Sequence, residues 1–130
     1  MEMASAERRT VAVVDDDRDV RHALEEALGE AGFAVRLAPH ALKLVSTLEV
    51  DQPAVIILDV VNSWMDGLGL CRALKRNPSF RHIPIVIVSG KSEPESIRAG
   101  FEAGAAAYFL KPLDVRRLVA RVCELAGEAP

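Results

Sequence analysis

Residues 54–59 read Ala-Val-Ile-Ile-Leu-Asp. Three of the five apolar residues are β-branched (Val55, Ile56, Ile57), and no polar residue alternates with them. A strand with one wet face alternates apolar and polar side chains, so this run reads as a strand buried on both faces, the habit of a parallel sheet covered by helices. The same character recurs at Thr10–Val14 and Ile83–Val88, and in weaker form at Ala34–Leu37 and Ala106–Leu110. Five strands result.

Between the strands lie amphipathic stretches. In Val20–Ala31 the residues Val20, Ala23, Leu24, Ala27, Leu28 and Ala31 return at three- and four-residue spacing, and Gly32 ends the run. Leu42–Val50 and Leu68–Arg76 are shorter, the latter stopped by Asn77-Pro78. Ser92–Ala103 carries Pro94 in its first turn and Gly104 at its end. Asp114 stands where the cap of a last helix belongs, before a stripe of Val115, Leu118, Val119, Val122 and Leu125 running to Ala126. The order is (βα) five times. Five parallel strands cannot close an eight-stranded barrel, so the expected fold is α/β, a doubly wound open sheet with helices on both faces. In such sheets ligands sit beyond the carboxyl ends of the strands.

Composition removes several function classes. The chain has 130 residues, half of them hydrophobic, with a formal net charge of −3. That is one ordinary domain, large enough to fold without a disulfide or metal staple. Cys71 and Cys123 suggest no bridging framework and fit a reducing cytosol. No apolar run approaches the roughly 20 residues of a membrane span, and residues 1–9 lack the apolar core of a signal peptide, so a cytoplasmic location is expected. Mild acidity and six aromatic residues give neither the footprint nor the stacking platform of a nucleic-acid binder. Residues 1–8 and 127–130 read as tails, the latter also as the start of a linker, around a domain at 9–126.

The informative polar residues follow the strands. Asp15, Asp16 and Asp17 follow the first, Asp59 the third, Ser89 the fourth and Lys111-Pro112 the fifth. The topology brings them to one rim. Three carboxylates that close repel one another and raise their pKa values unless a cation lies between them. Mg2+ suits the set, with Mn2+ as an alternative, because it takes oxygen ligands and keeps waters that a phosphate can replace. A lysine and a hydroxyl beside a metal-bound carboxylate point to phosphoryl chemistry, with Asp59 as nucleophile forming an aspartyl phosphate. Asp15 and Asp16 form the pair suited to the metal, and Lys111 and Ser89 would neutralise or bond the transferring group. Read singly, the aspartate run is equally a helix cap and turn, Ser89-Gly90 a turn, and Tyr108 a static core residue. His22, His40 and His82 show no metal-ligand spacing, and Arg72, Lys75, Arg76 and Arg81 read as a solvated face.

The ordered set VVDDD (13–17), IILD (56–59), MDG (65–67), VIVSG (86–90) and YFLKP (108–112) resembles the receiver domains of two-component response regulators, which include the chemotaxis regulator. The likeness spans about residues 9–126. It implies a flavodoxin-like sheet of order 2-1-3-4-5 and a phosphorylation-dependent signal receiver in a phosphorelay. By this resemblance Asp59 accepts a phosphoryl group from a histidine kinase or histidine phosphotransfer protein. Asp15, Asp16 and Asp59 bind Mg2+ with the backbone carbonyl of Val61, and Ser89 and Lys111 contact the phosphoryl oxygens. Ser89 and Tyr108 act as the switch, altering the surface of the fourth helix, fifth strand and fifth helix for a downstream protein or linked output domain. The Lys111-Pro112 bond is often cis in receivers. The domain is not an enzyme beyond slow self-phosphorylation and self-dephosphorylation, and neither nucleic acid nor membrane is an expected direct partner. The kinase side is expected to dock near Arg18, Arg21 and Leu113.

Departures from the family pattern carry their own expectations. Asn62-Ser63 replace a common Met-Pro pair and Trp64 follows, which leaves the loop less constrained; Gly90 replaces a small Ala and loosens the segment after Ser89. Ala106-Ala107 replace the acidic residues that support a charged dimer face in winged-helix members. Val61 and Lys91 stand two after Asp59 and Ser89, where an aliphatic side chain cannot orient water and a lysine can shield the phosphate, so slow dephosphorylation is expected. Ending just after the last helix, the chain is expected to be a freestanding relay or a receiver cut from a longer protein. The alternative is a pseudo-receiver, a phosphorylation-independent interaction domain. A phosphohydrolase reading of Asp15 and Asp17 fails on Asp19 and on the lack of room for a cap domain, and a nucleotide site fails for want of a Gly-rich loop.

Overall fold

The structure, a computed structural model, describes residues 9–62 and 65–127. The tails 1–8 and 128–130, and Ser63 and Trp64, lie outside the described residues. The chain alternates β1 (Thr10–Val14), α1 (Arg18–Glu30), β2 (Ala34–Ala38), α2 (Ala41–Leu48), β3 (Val55–Asp59), α3 (Gly67–Arg76), β4 (Ile85–Ser89), α4 (Pro94–Glu102), β5 (Ala107–Leu110) and α5 (Val115–Ala126). The five strands form one parallel sheet in the order β2-β1-β3-β4-β5.

Every residue of β3 and β4 is buried, as unbroken apolar runs require. Alternate residues feed two cores. Ala12, Val14, Ile56, Leu58, Ile85 and Ile87 pack with Leu44, Leu48, Cys71 and Leu74 of α2 and α3. Val11, Val13, Val55, Ile57, Val86 and Val88 pack with Leu24, Leu28, Leu118 and Val122 of α1 and α5. Each large buried side chain contributes about 1.5–3 kcal/mol, and truncating one to alanine costs roughly 2–5 kcal/mol.

Several boundaries move, each for a local reason. The β3 and β4 ladders run one residue further than the apolar runs, so Asp59 and Ser89 end strands instead of following them; β4 starts after Pro84, whose carbonyl accepts from the Ile56 N–H. Helix α1 begins two residues early, because Asp17 Oδ1 accepts from the N–H groups of Asp19 and Val20. Helix α2 is Ala41–Leu48, capped by His40, and α4 begins at Pro94. Gly32 does stop α1, with φ +101°.

The segment after β3, read from sequence as a plain loop, pairs Val61–Asn62 antiparallel with Met65–Asp66. Its close return explains Gly67: a Cβ there would lie 2.6 Å from Val60 Cα. Asp66 then caps α3 by accepting from the Gly69 N–H.

Candidate functional site

The three consecutive aspartates divide their work. Asp15 is fully buried at the end of β1, and its Oδ1 accepts from the Asp17 N–H at 2.9 Å. Asp17 caps α1, so the cap reading of the run is correct for that residue. Asp16 lies between them, exposed. Arg21 Nη1 donates to the Asp15 carbonyl at 2.8 Å and fixes this turn from α1.

Asp59 closes β3 beside Val88 of β4 and is 3% exposed. Its Oδ1 accepts from the Val61 N–H at 2.9 Å, and its Oδ2 from Lys111 Nζ at 3.2 Å. Burial pushes the Asp59 carboxyl above the usual carboxylate range; Asp15 adds to the rise, while the Val61 N–H and Lys111 oppose it. Lys111 Nζ also lies 2.9 Å from Asp15 Oδ2, an ion pair without hydrogen-bond alignment. Burial works to lower the Lys111 pKa, yet contact with Asp15 and the charges of both aspartates hold it above its ordinary value.

Asp15, Asp16 and Asp59 each offer a carboxylate oxygen within 4.8 Å of the others. Lys111 pairs with two of the three, Asp15 and Asp59. Asp15 Oδ2, buried, receives no hydrogen bond among the described residues. This donor set, all hard oxygen, with a buried acceptor whose neighbour is the Lys111 ammonium and with one exposed member, fits a divalent oxygen-seeking cation such as Mg2+. Val61 adjoins it through its backbone, and its side chain is exposed.

Ser89 ends β4 and is fully buried. Its Oγ accepts from the Lys91 N–H at 3.0 Å, and its carbonyl accepts from the Lys111 N–H at 2.8 Å. Tyr108, on β5, donates its hydroxyl to the Lys91 carbonyl at 2.8 Å. The 89–91 turn is thus tied at both ends, although Gly90 has open space where a side chain would stand. The Lys111-Pro112 peptide is cis.

Beside a parallel sheet of this order, with acids, hydroxyl and lysine on one rim, residues 11–123 match the family model of the response regulator receiver domain. The chain belongs to that family. Among curated relatives, it is 34% identical to the transcriptional regulatory protein CseB of Streptomyces coelicolor, over 90% of this chain and 49% of that protein. It is likewise 34% identical to GltR of Pseudomonas aeruginosa, over 96% of this chain and 52% of that protein. The chain therefore spans about half the length of these curated relatives. The fold also matches the signal receiver domain of a histidine kinase from Syntrophus aciditrophicus, with a TM-score of 0.83 and 29% identity, covering 92% of this chain and 90% of that one.

In this receiver the rim gathers Asp15, Asp16, Asp59 and Lys111 directly, and reaches Tyr108 through Ser89 and Lys91. Arg21, expected near the docking surface because the first helix borders Asp59, also holds the Asp15 carbonyl with its guanidinium; its place one helical turn after Asp17 was the available signal. Leu113 lines a groove of about 510 Å³ with Val20, Ala23, Leu24, Pro112 and Val115, beside Lys111. Sequence reasoning did not single out the Gly67 and Gly100 contacts, which depend on three-dimensional approach. Among the described residues no helix is long and apolar enough to cross a membrane.

Proposed function

We propose that this receiver is a phosphorylation-dependent relay in which Asp59 accepts a phosphoryl group from the phosphohistidine of a histidine kinase or histidine phosphotransfer protein. The observation that carries the reading is Lys111 Nζ in contact with both Asp15 and Asp59 beside the three-carboxylate cluster. Asp15, Asp16 and Asp59, with the Val61 carbonyl, would hold Mg2+. The ion supplies charge neutralisation for an incoming phosphoryl group.

The chain's own groups do the rest. Asp59 Oδ1 is held by the Val61 N–H, which orients the carboxylate. Oδ2, as Lys111 releases it, attacks phosphorus, the bond to the histidine nitrogen breaks, and the leaving imidazole keeps the electron pair. Lys111 moves from carboxylate to phosphoryl oxygen, and Ser89, whose Oγ already accepts from Lys91, has its hydroxyl proton left to donate. Movement of Ser89 pulls on the 89–91 turn, and through the Lys91 carbonyl on Tyr108. The α4-β5-α5 face changes accordingly and meets a downstream protein or a linked output domain. We place the receiver at 9–126, with 1–8 and 127–130 as tail or linker, in the cytoplasm.

The donor docks, on this reading, over the groove between α1 and the Pro112-Leu113 turn, which opens beside Lys111. Exposed Val61 cannot orient a water, and exposed Lys91 can cover the phosphoryl group, so the acyl phosphate is long-lived. The test is Mg2+-dependent transfer from a small acyl-phosphate donor to Asp59. A pseudo-receiver predicts no transfer.

A further inference from the structure

Gly100 lies within α4 and is buried. Its backbone is ordinary helix, so no left-handed conformation calls for glycine there, and alanine would serve the helix better. Space is the reason. A Cβ on Gly100 would stand 2.9 Å from Tyr108 Cδ2, 3.1 Å from Tyr108 Cε2 and 3.1 Å from Ile87 Cδ1.

Ile87 is fully buried in the sheet, whereas Tyr108 is half-buried with its hydroxyl at the surface. The ring is therefore what yields. Swinging it away from α4 takes its hydroxyl off the Lys91 carbonyl, and Lys91 is the residue whose N–H holds Ser89 Oγ.

We propose that Gly100 is a positioning residue for Tyr108: its missing side chain is the slot that seats the ring against α4 and links that helix to the turn carrying Ser89. The inference deepens the receiver reading, which it needs only for its functional consequence. With the slot filled, the seated ring becomes the minor state, and any ligand that favours it binds more weakly.

The experiment uses the full chain and the variant Gly100→Ala. Tyr108 is the single tyrosine, so 3-fluorotyrosine gives one fluorine resonance. In Gly100→Ala that resonance moves toward the position of solvent-exposed fluorotyrosine. A thermal-stability cycle separates Tyr108 from Ile87: Gly100→Ala raises Tm in a Tyr108→Ala background and fails to raise it in the native background. An unmoved resonance, or the same Tm change in both backgrounds, overturns the inference. With Mg2+ and beryllofluoride as probe, half-saturation of Gly100→Ala needs about threefold more beryllofluoride or above, in proportion to the lost seated fraction. If the native chain shows no beryllofluoride response, the relay reading fails, and the fluorine and stability arms still decide the role of Gly100.

Discussion

Lys111 Nζ stands 3.2 Å from Asp59 Oδ2, from the far side of two intervening strand connections, and 2.9 Å from Asp15 Oδ2, so one cation is shared by the two buried carboxylates of the rim. Lys111→Met is expected to destabilise the metal-free protein by about 1–3 kcal/mol, below the roughly 3–5 kcal/mol of a fully buried pair because Lys111 is 24% exposed. Saturating Mg2+ should narrow the difference. Urea unfolding with chelator and with Mg2+ measures it, and an equal gap in both counts against the shared-cation account.

Asp59 makes stability depend on pH in a definite direction. Burial, reinforced by the Asp15 charge, raises its pKa, so the native state holds its proton to higher pH than the unfolded chain does. Stability from this group is therefore greatest below the unfolded carboxyl value of about 3.9 and falls as pH rises through the folded value. In chelator, Asp59→Asn should raise Tm by a few degrees at neutral pH, with the gain fading toward acid. A gain that grew toward acid would reverse the sign argued here.

Donor docking over the α1 groove can be separated from chemistry. Arg18→Ala and Leu113→Ala should lower kcat/KM for transfer from a phosphorylated kinase by several-fold and leave modification by a small acyl phosphate unchanged. Arg21→Ala is the wrong probe, since it releases the Asp15 carbonyl and disturbs the site itself. Unchanged kinase transfer in both former variants would remove this docking surface.

On the proposed relay reading, the lifetime of the acyl phosphate would rest on two exposed side chains. Val61→Asn, which can orient water, and Lys91→Ala, which uncovers the phosphate, should each speed hydrolysis by several-fold, read as loss of the adduct over time. Decay of the native adduct within seconds in Mg2+ contradicts the expectation, as does an unaffected rate in Val61→Asn.

The sheet was legible because Ala54–Leu58, Thr10–Val14 and Ile83–Val88 are short, rich in β-branched residues and apolar without alternation, as strands covered on both faces are, and because helical periodicity separates them. The rim residues were legible for the same reason, as the first polar groups after such runs. Strand ends were misread by one residue, because the ladder continues through Asp59 and Ser89 regardless of polarity. What stayed hidden depends on approach between segments distant in sequence. The ladder of Val61–Asn62 with Met65–Asp66 carries little strand signal, and Gly100 looks like any glycine until Tyr108 is laid against it. The aspartate run was ambiguous between a helix cap and a metal site, and the bonds from Asp19 and Val20 to Asp17 are what assign the cap to that residue.

The most direct measurement is intact mass after incubation with Mg2+ and a small acyl-phosphate donor. The account predicts one added phosphoryl group on the native chain, none in chelator, none in Asp59→Asn, and its removal by hydroxylamine as for an acyl phosphate. No adduct on the native chain in Mg2+, or an adduct that persists in Asp59→Asn, contradicts it.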